Sequence, residues 1–222
     1  MTKIKTLIVR FSNTLDRQEI PLFRGAVIAE IGKDKDVLLH NHTEDGFRYA
    51  YPEIQYKLID GKAAVVAVNQ GVNAVEGLTC KDEIPVALGT RLLTLTVVSS
   101  NMEKIELNFI PEMKKYAIQS WLPLNQNNYK VYTECNNMIE RIEMLQRTLT
   151  GNIISMAKGV DIHLDERIKL SMTDISEQRP VMFKRQRMMS FNAVFDVNMN
   201  LPSYIGLGKG VSLGFGTIKE LQ

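Results

Sequence analysis

Five glycines crowd the eleven positions from Gly206 to Gly216, interleaved with Leu207, Lys209, Val211, Leu213 and Phe215, and only six residues follow. Glycine is needed where the backbone takes positive φ or passes very close to another group. Successive unhindered N–H groups beside one lysine also form a cradle for an anion such as phosphate. The familiar nucleotide loops do not fit. A Walker loop requires Gly-Lys followed by Ser or Thr at the start of a helix, whereas Lys209 is followed by Gly210. A dinucleotide fingerprint requires a helix and a second strand after its glycines, and too little chain remains. The segment therefore closes a fold, between short apolar strand-like pieces, and a phosphate held there belongs to a polymer.

The charge distribution points the same way. The formal net charge is +2 over 222 residues, but residues 1–112 carry 13 Lys+Arg against 15 Asp+Glu, and residues 113–222 carry 14 against 10. From Arg179 to Lys219 there are six basic residues and a single acid, Asp196. A local excess of that kind suits a polyanion partner, although a solvated basic surface has the same composition. Cys80 and Cys135 lie far apart with no metal-ligand spacing. No apolar run reaches the roughly 18 residues of a membrane helix, and Thr6 to Val9 reads as a strand rather than a signal peptide. The expectation is a reduced, cytoplasmic protein with no membrane partner.

Hydrophobic periodicity divides the chain. Ile4 to Phe11 reads as a strand, with Asn13, Thr14 and Asp16 as turn and capping residues. Pro21 suits a first helical turn, and Phe23, Val27 and Ile31 recur at i, i+4, i+8. Strands are expected at Val37 to His42, Phe47 to Tyr51, Ile54 to Ile59 and Ala63 to Val68, the last two joined by Asp60-Gly61. A short helix is expected over Gln70 to Leu78, then a hairpin of Arg91 to Val98 and Ile105 to Ile110 around Asn101. The pattern restarts with a strand at Tyr116 to Leu122. A helix follows with Met138, Ile142, Leu145 and Leu149 on one face, interrupted at Gly151. Strands at Ile168 to Met172, Met182 to Ser190 and Phe191 to Val197 lead into the glycine segment. Strand, helix, then several strands, twice over, predicts an α+β chain of two tandem ferredoxin-like (RRM-like) domains, 1–112 and 113–222, with a C-terminal glycine-rich loop. A single continuous α+β domain is the alternative.

Two of the three histidines sit in Leu38-Leu39-His40-Asn41-His42. On a strand, residues two apart face the same side, so His40 and His42 project together. A reversal at Asp45-Gly46 would set His42 opposite Tyr49 and His40 opposite Tyr51; a turn longer by one residue would bring Arg48 beside the histidines instead. Three uses compete: ordinary hydrogen-bonded histidines, a metal pair without an evident third ligand, and general acid–base catalysis by imidazoles near a phenol. Lys184-Arg185-Gln186-Arg187 lies in a strand-like run, so Arg185 and Arg187 would share a face suited to phosphates. A charged edge strand reads the same way.

The glycine segment has the form G-h-G-x5-G-h-G, with h apolar. It resembles the C-terminal motif of the repeat-associated RNA-binding superfamily of CRISPR systems. Within it, His40, His42 and Tyr49, spaced as two histidines one residue apart and a tyrosine seven further on, resemble the CRISPR-associated repeat-processing endoribonucleases of the sixth Cas family, subtype b. Leu22-Phe23-Arg24-Gly25 adds to the likeness, which spans nearly the whole chain. The resemblance implies cleavage of precursor CRISPR RNA without metal or other cofactor, the ribose 2′-OH attacking the adjacent phosphate. It implies His40 and His42 as base and acid, in an order left open, with Tyr49 positioning or donating. In that scheme Arg48 or a lysine such as Lys33 or Lys35 would supply charge; no motif marks either. Gly206, Gly208, Lys209, Gly210, Gly214 and Gly216 would hold the RNA backbone, assisted by Arg185 and Arg187. The implied partner is CRISPR repeat RNA, with other effector subunits and a homodimer left open. A non-catalytic RNA-binding subunit of an effector complex would share the fold and loop but has no need of paired imidazoles. A metal-dependent hydrolase would lose activity with chelator.

Overall fold

A computed structural model describes residues 3–32, 42–43, 46–47 and 51–221. The chain separates into two units, Lys3–Ile105 with Ser212–Gly214, and Glu106–Val211 with Phe215–Gln222. Among the described residues no helix is long and apolar enough to cross a membrane.

The first unit contains β1 (Lys3–Thr14), α1 (Ile20–Ile31), β2 (His42–Thr43), β3 (Gly46–Phe47), β4 (Ile54–Ile59), β5 (Lys62–Val68), α2 (Gln70–Val75), β6 (Glu83–Leu88) and β7 (Arg91–Glu106). Its five-stranded sheet runs β4-β5-β1-β7-β6. The run Ala63 to Val68 is buried throughout, as expected of a strand covered on both faces. Leu7, Val9 and Phe11 alternate along β1 onto the core face, where Phe23 of α1 meets Phe11 edge-on at 5.8 Å and Tyr56 at 6.1 Å. A capping box between Asp16 and Glu19 starts the helical segment, and Gly32 ends it at φ +94°. Ile59 pairs with Lys62 across Asp60-Gly61, both at positive φ. That is the hairpin turn the dipeptide predicts.

The second unit contains β8 (Phe109–Trp121), α3 (Gln126–Glu134), α4 (Met138–Gly159), β9 (Leu170–Phe183), β10 (Gln186–Met199) and β11 (Thr217–Glu220). Its sheet runs β11-β8-β10-β9. In each unit the first strand lies centrally, β1 between β5 and β7 and β8 between β11 and β10, which is the order of a ferredoxin-like βαββαβ sheet. The first unit adds β6 outside β7. In the second, the glycine segment stands where the second helix would be. The α+β tandem ferredoxin-like architecture is therefore present, as the periodicity predicts.

Four local expectations are corrected. Gly151 does not interrupt α4, and Ile153, Met156 and Ala157 beyond it are buried. One mid-helix glycine costs about 1 kcal/mol, less than burying those side chains returns. Met138, expected on the buried face, is exposed. The hairpin around Asn101 does not exist: β7 runs unbroken to Glu106, and its hairpin partner is the preceding β6, joined by Gly89-Thr90 with Leu88 opposite Arg91. Polar Ser99-Ser100-Asn101 is solvated strand, not a turn. Met182 to Ser190 is not one strand, because Lys184 and Arg185 form the β9–β10 turn.

Candidate nucleic-acid interface

The glycine segment has a paired stem. Leu207 N–H donates to the Gly216 carbonyl at 2.8 Å, and Ile218 N–H to the Ile205 carbonyl at 2.9 Å. Gly216 N–H also donates to the Ser120 carbonyl at the end of β8, at 3.3 Å. Gly208, Gly210, Gly214 and Gly216 all have positive φ. At Gly216 a Cβ would run into the Leu207 carbonyl, so the stem closes only around glycine. At Gly208 a Cβ would lie 2.6 Å from Asn152 Oδ1 and 3.1 Å from Trp121 Nε1. Gly206, Leu207, Val211, Phe215 and Gly216 are buried, whereas Gly208 and Lys209 face solvent. Most of this motif is packing that presents one short exposed tip with a lysine on it. Gly214 lies with the first unit, its α-carbon side facing the Tyr56 carbonyl and Lys57 of β4.

Beside Lys209 stands the β9–β10 hairpin. Lys209 Nζ lies 5.5 Å from the centre of the Phe183 ring, and Lys184 Nζ lies 5.8 Å from the same ring. Phe183 itself is buried edge-on against Phe215 at 5.6 Å. An aromatic face attracts a cation through its quadrupole, so the Phe183 ring draws both ammonium groups toward it. Arg185 and Arg187 do not share a strand face as expected. Arg185 sits in the turn at φ +65°, next to Lys184 at φ +47°, while Arg187 lies on β10 opposite Met182. The run of charge resembled a strand because nothing in its composition marks a turn. All four residues from Lys184 to Arg187 are exposed, a cationic surface suited to phosphate oxygens.

In the histidine segment the structure gives one register. His42 pairs with Phe47, and Thr43 with Gly46. Gly46 is thus part of the ladder and not of the turn, which corrects the pairing of His42 with Tyr49. A turn dipeptide signals a reversal, but ladder hydrogen bonds and packing decide which residues fill its centre. His40, Tyr49, Arg48, Lys33 and Lys35 lie outside the described residues.

Sequence reasoning passed over Lys57. It sits on β4 between Tyr56 and Leu58, two residues from the equally buried Gln55, is fully buried, and burial, with a smaller contribution from the Arg17 charge, pushes its ammonium down to about 7. Burial likewise raises the neighbouring Tyr56 phenol to about 12, opposed by Arg24. Phe183, Trp121 and Asn152 were also missed, because each acts through contacts between residues distant in sequence.

Family models for the Cas6b N-terminal domain and the Cas6b C-terminal domain match residues 2–106 and 108–221. A crystal structure of Cas6b superposes with a TM-score of 0.89 at 28% identity, covering 99% of this chain and 100% of that one. A second, of a CRISPR RNA processing endoribonuclease Cas6b, gives 0.75 at 26% identity, covering 99% and 100%. An uncharacterised protein of Methanocaldococcus jannaschii is 36% identical over 118 residues, which are 53% of this chain and 79% of that protein. Two domain matches covering almost every residue, on a tandem ferredoxin-like fold with a C-terminal glycine loop, place this chain in the Cas6b family.

Proposed function

We propose that this chain is an endoribonuclease that cuts precursor CRISPR RNA within its repeats, without a metal ion. The reading is carried by the match to both Cas6b domains over nearly the whole chain. Its close structural likeness to a CRISPR RNA processing endoribonuclease agrees with it. In the reaction, the ribose 2′-oxygen forms a bond to the adjacent phosphorus while the bond to the 5′-oxygen breaks. The products are a 2′,3′-cyclic phosphate and a 5′-hydroxyl. One proton leaves the 2′-OH and one arrives at the 5′-oxygen, the work of a base and an acid titrating near neutrality. His40 and His42 fill those roles, with Tyr49 as positioner or donor. The RNA backbone lies on the glycine loop, Gly206 to Gly216 with Lys209 at its exposed tip, and on Arg185 and Arg187. Two lysines on one aromatic ring beside that tip support this use of the loop.

The test is cleavage of the cognate repeat RNA in EDTA, beside a substrate with one 2′-deoxy sugar at the cut site. Cutting of the all-RNA strand alone, undiminished by EDTA, is expected. Loss of cutting in EDTA overturns the metal-independent mechanism. Tight binding with no cutting of any cognate repeat overturns the enzyme in favour of an RNA-binding subunit.

A further inference from the structure

The loop tip packs on a pair of residues outside the loop. Trp121, the single tryptophan of the chain, is completely buried at the end of β8. Its indole N–H donates to Asn152 Oδ1 on α4 at 2.9 Å. A buried indole N–H left without an acceptor is costly, so this bond fixes the Asn152 side chain as well as the ring. Gly208 rests on the two polar atoms of that bond: a Cβ there would meet Asn152 Oδ1 at 2.6 Å and crowd Trp121 Nε1 at 3.1 Å. Lys209 is the next residue, and Gly210 beyond it is pressed as tightly against Phe183 and Phe215, at 2.9 Å from each to its would-be Cβ. The lysine is therefore held between two abutments, the Trp121–Asn152 bond before it and the phenylalanine pair after it. Asn192 Oδ1 braces the same corner by accepting from Ser120 N–H at 2.8 Å, where Ser120 has φ +51°.

We propose that Asn152, with Trp121, is a positioning residue for phosphate binding by Lys209: it touches no RNA, and it sets the loop tip that does. The inference rests on the reading of the glycine loop as a holder of the RNA backbone. A side chain that only stabilised the fold would alter melting and leave the affinity of the folded protein intact. One that aims Lys209 removes a charged contact when it is lost. For a single-stranded nucleic acid that means a slope of log affinity against log salt shallower by about 0.7, and binding weaker by about fivefold at 0.1 M salt.

The experiment uses the full chain and a non-cleavable 2′-deoxy form of its repeat RNA, titrated over a series of KCl concentrations. Asn152→Leu removes the acceptor. Trp121→Phe keeps an aromatic ring at the position, though a smaller one, removes the N–H, and serves where Asn152→Leu does not fold. Lys209→Ala, alone and combined with each, completes a cycle. Each positioning variant is expected to reproduce the slope and affinity of Lys209→Ala, and the double variants to lose nothing more. Wild-type slope and affinity in the folded variants, beside a weakened Lys209→Ala, overturn the positioning role alone. Losses that add in full to that of Lys209→Ala overturn it as well. Wild-type binding by Lys209→Ala itself overturns the glycine-loop reading and the inference with it.

Discussion

Lys184 and Arg185 fill the two central positions of the β9–β10 turn, at φ +47° and +65°. Hairpin turns of this kind favour Asn-Gly there, because both residues must adopt the left-handed region. A residue with an ordinary side chain pays about 1 kcal/mol or somewhat more for that conformation. Two such residues store about 2 kcal/mol in an exposed turn where nothing in the packing demands them. Replacing the pair by Lys184→Asn and Arg185→Gly releases most of it. Against that stand the cation–aromatic contact of Lys184 with Phe183, worth about 0.5 kcal/mol at an exposed site, and the extra freedom of glycine in the unfolded chain, about 0.5–1 kcal/mol. The net expectation is a gain of about 0.5–1 kcal/mol, read as a midpoint shift in urea unfolding and a rise of about 1–4 °C in melting. The same variant loses two cations from the proposed RNA surface. Its salt slope should fall by about 1.4, and its affinity by about 25-fold at 0.1 M salt. A variant more stable and weaker in binding means the turn is strained in the service of polyanion contact. A less stable variant refutes the strain. A stabilised variant with wild-type salt slope refutes the connection to RNA.

The other predictions test the remaining parts. His40→Ala and His42→Ala should each slow cutting by orders of magnitude while repeat binding persists, since groups used only in the transition state affect rate more than affinity; wild-type single-turnover rates in either would remove that residue from the mechanism. Lys57 has a folded-state value near 7 against an ordinary value of 10.5. Between those values the unfolded chain holds a proton that the folded chain does not, so stability rises with pH across that window by up to about 1.4 kcal/mol per unit. Below pH 7 both states are charged and the full burial penalty is carried. Lys57→Met should therefore stabilise most at pH 6 and progressively less toward pH 10, and parallel urea-unfolding curves for variant and wild type would contradict it. Gly216→Ala should destabilise by more than the ordinary cost of alanine at positive φ, because its Cβ meets the Leu207 carbonyl; a melting temperature equal to the wild type's would contradict the close approach.

Elements that declare themselves locally were legible in the sequence. Asp60-Gly61 occupies the expected hairpin turn, Asp16 opens the first helical segment, and the 3.6-residue period of α4 marks a helix whose Leu145 and Leu149 are buried. The double recurrence of strand, helix and strands was enough for the tandem α+β class. What failed depended on competition between neighbours. Asn101 is polar enough for a turn, yet β7 passes straight through it. Asp45-Gly46 signals a reversal, and the ladder takes Gly46 as a paired residue.

The amino-acid order by itself determined the fold class and the glycine spacing of the last segment, and its paired histidines raise the expectation of acid–base chemistry. Those depend on period, composition and backbone freedom, which are properties of short stretches. Only the tertiary structure decided that Lys184 and Lys209 both approach the Phe183 ring, that Arg185 sits in a strained turn, that Lys57 is buried, and that Asn152 and Trp121 carry the loop tip. Each of these joins residues far apart along the chain or sets a side chain against a core, and no local pattern encodes such a distance.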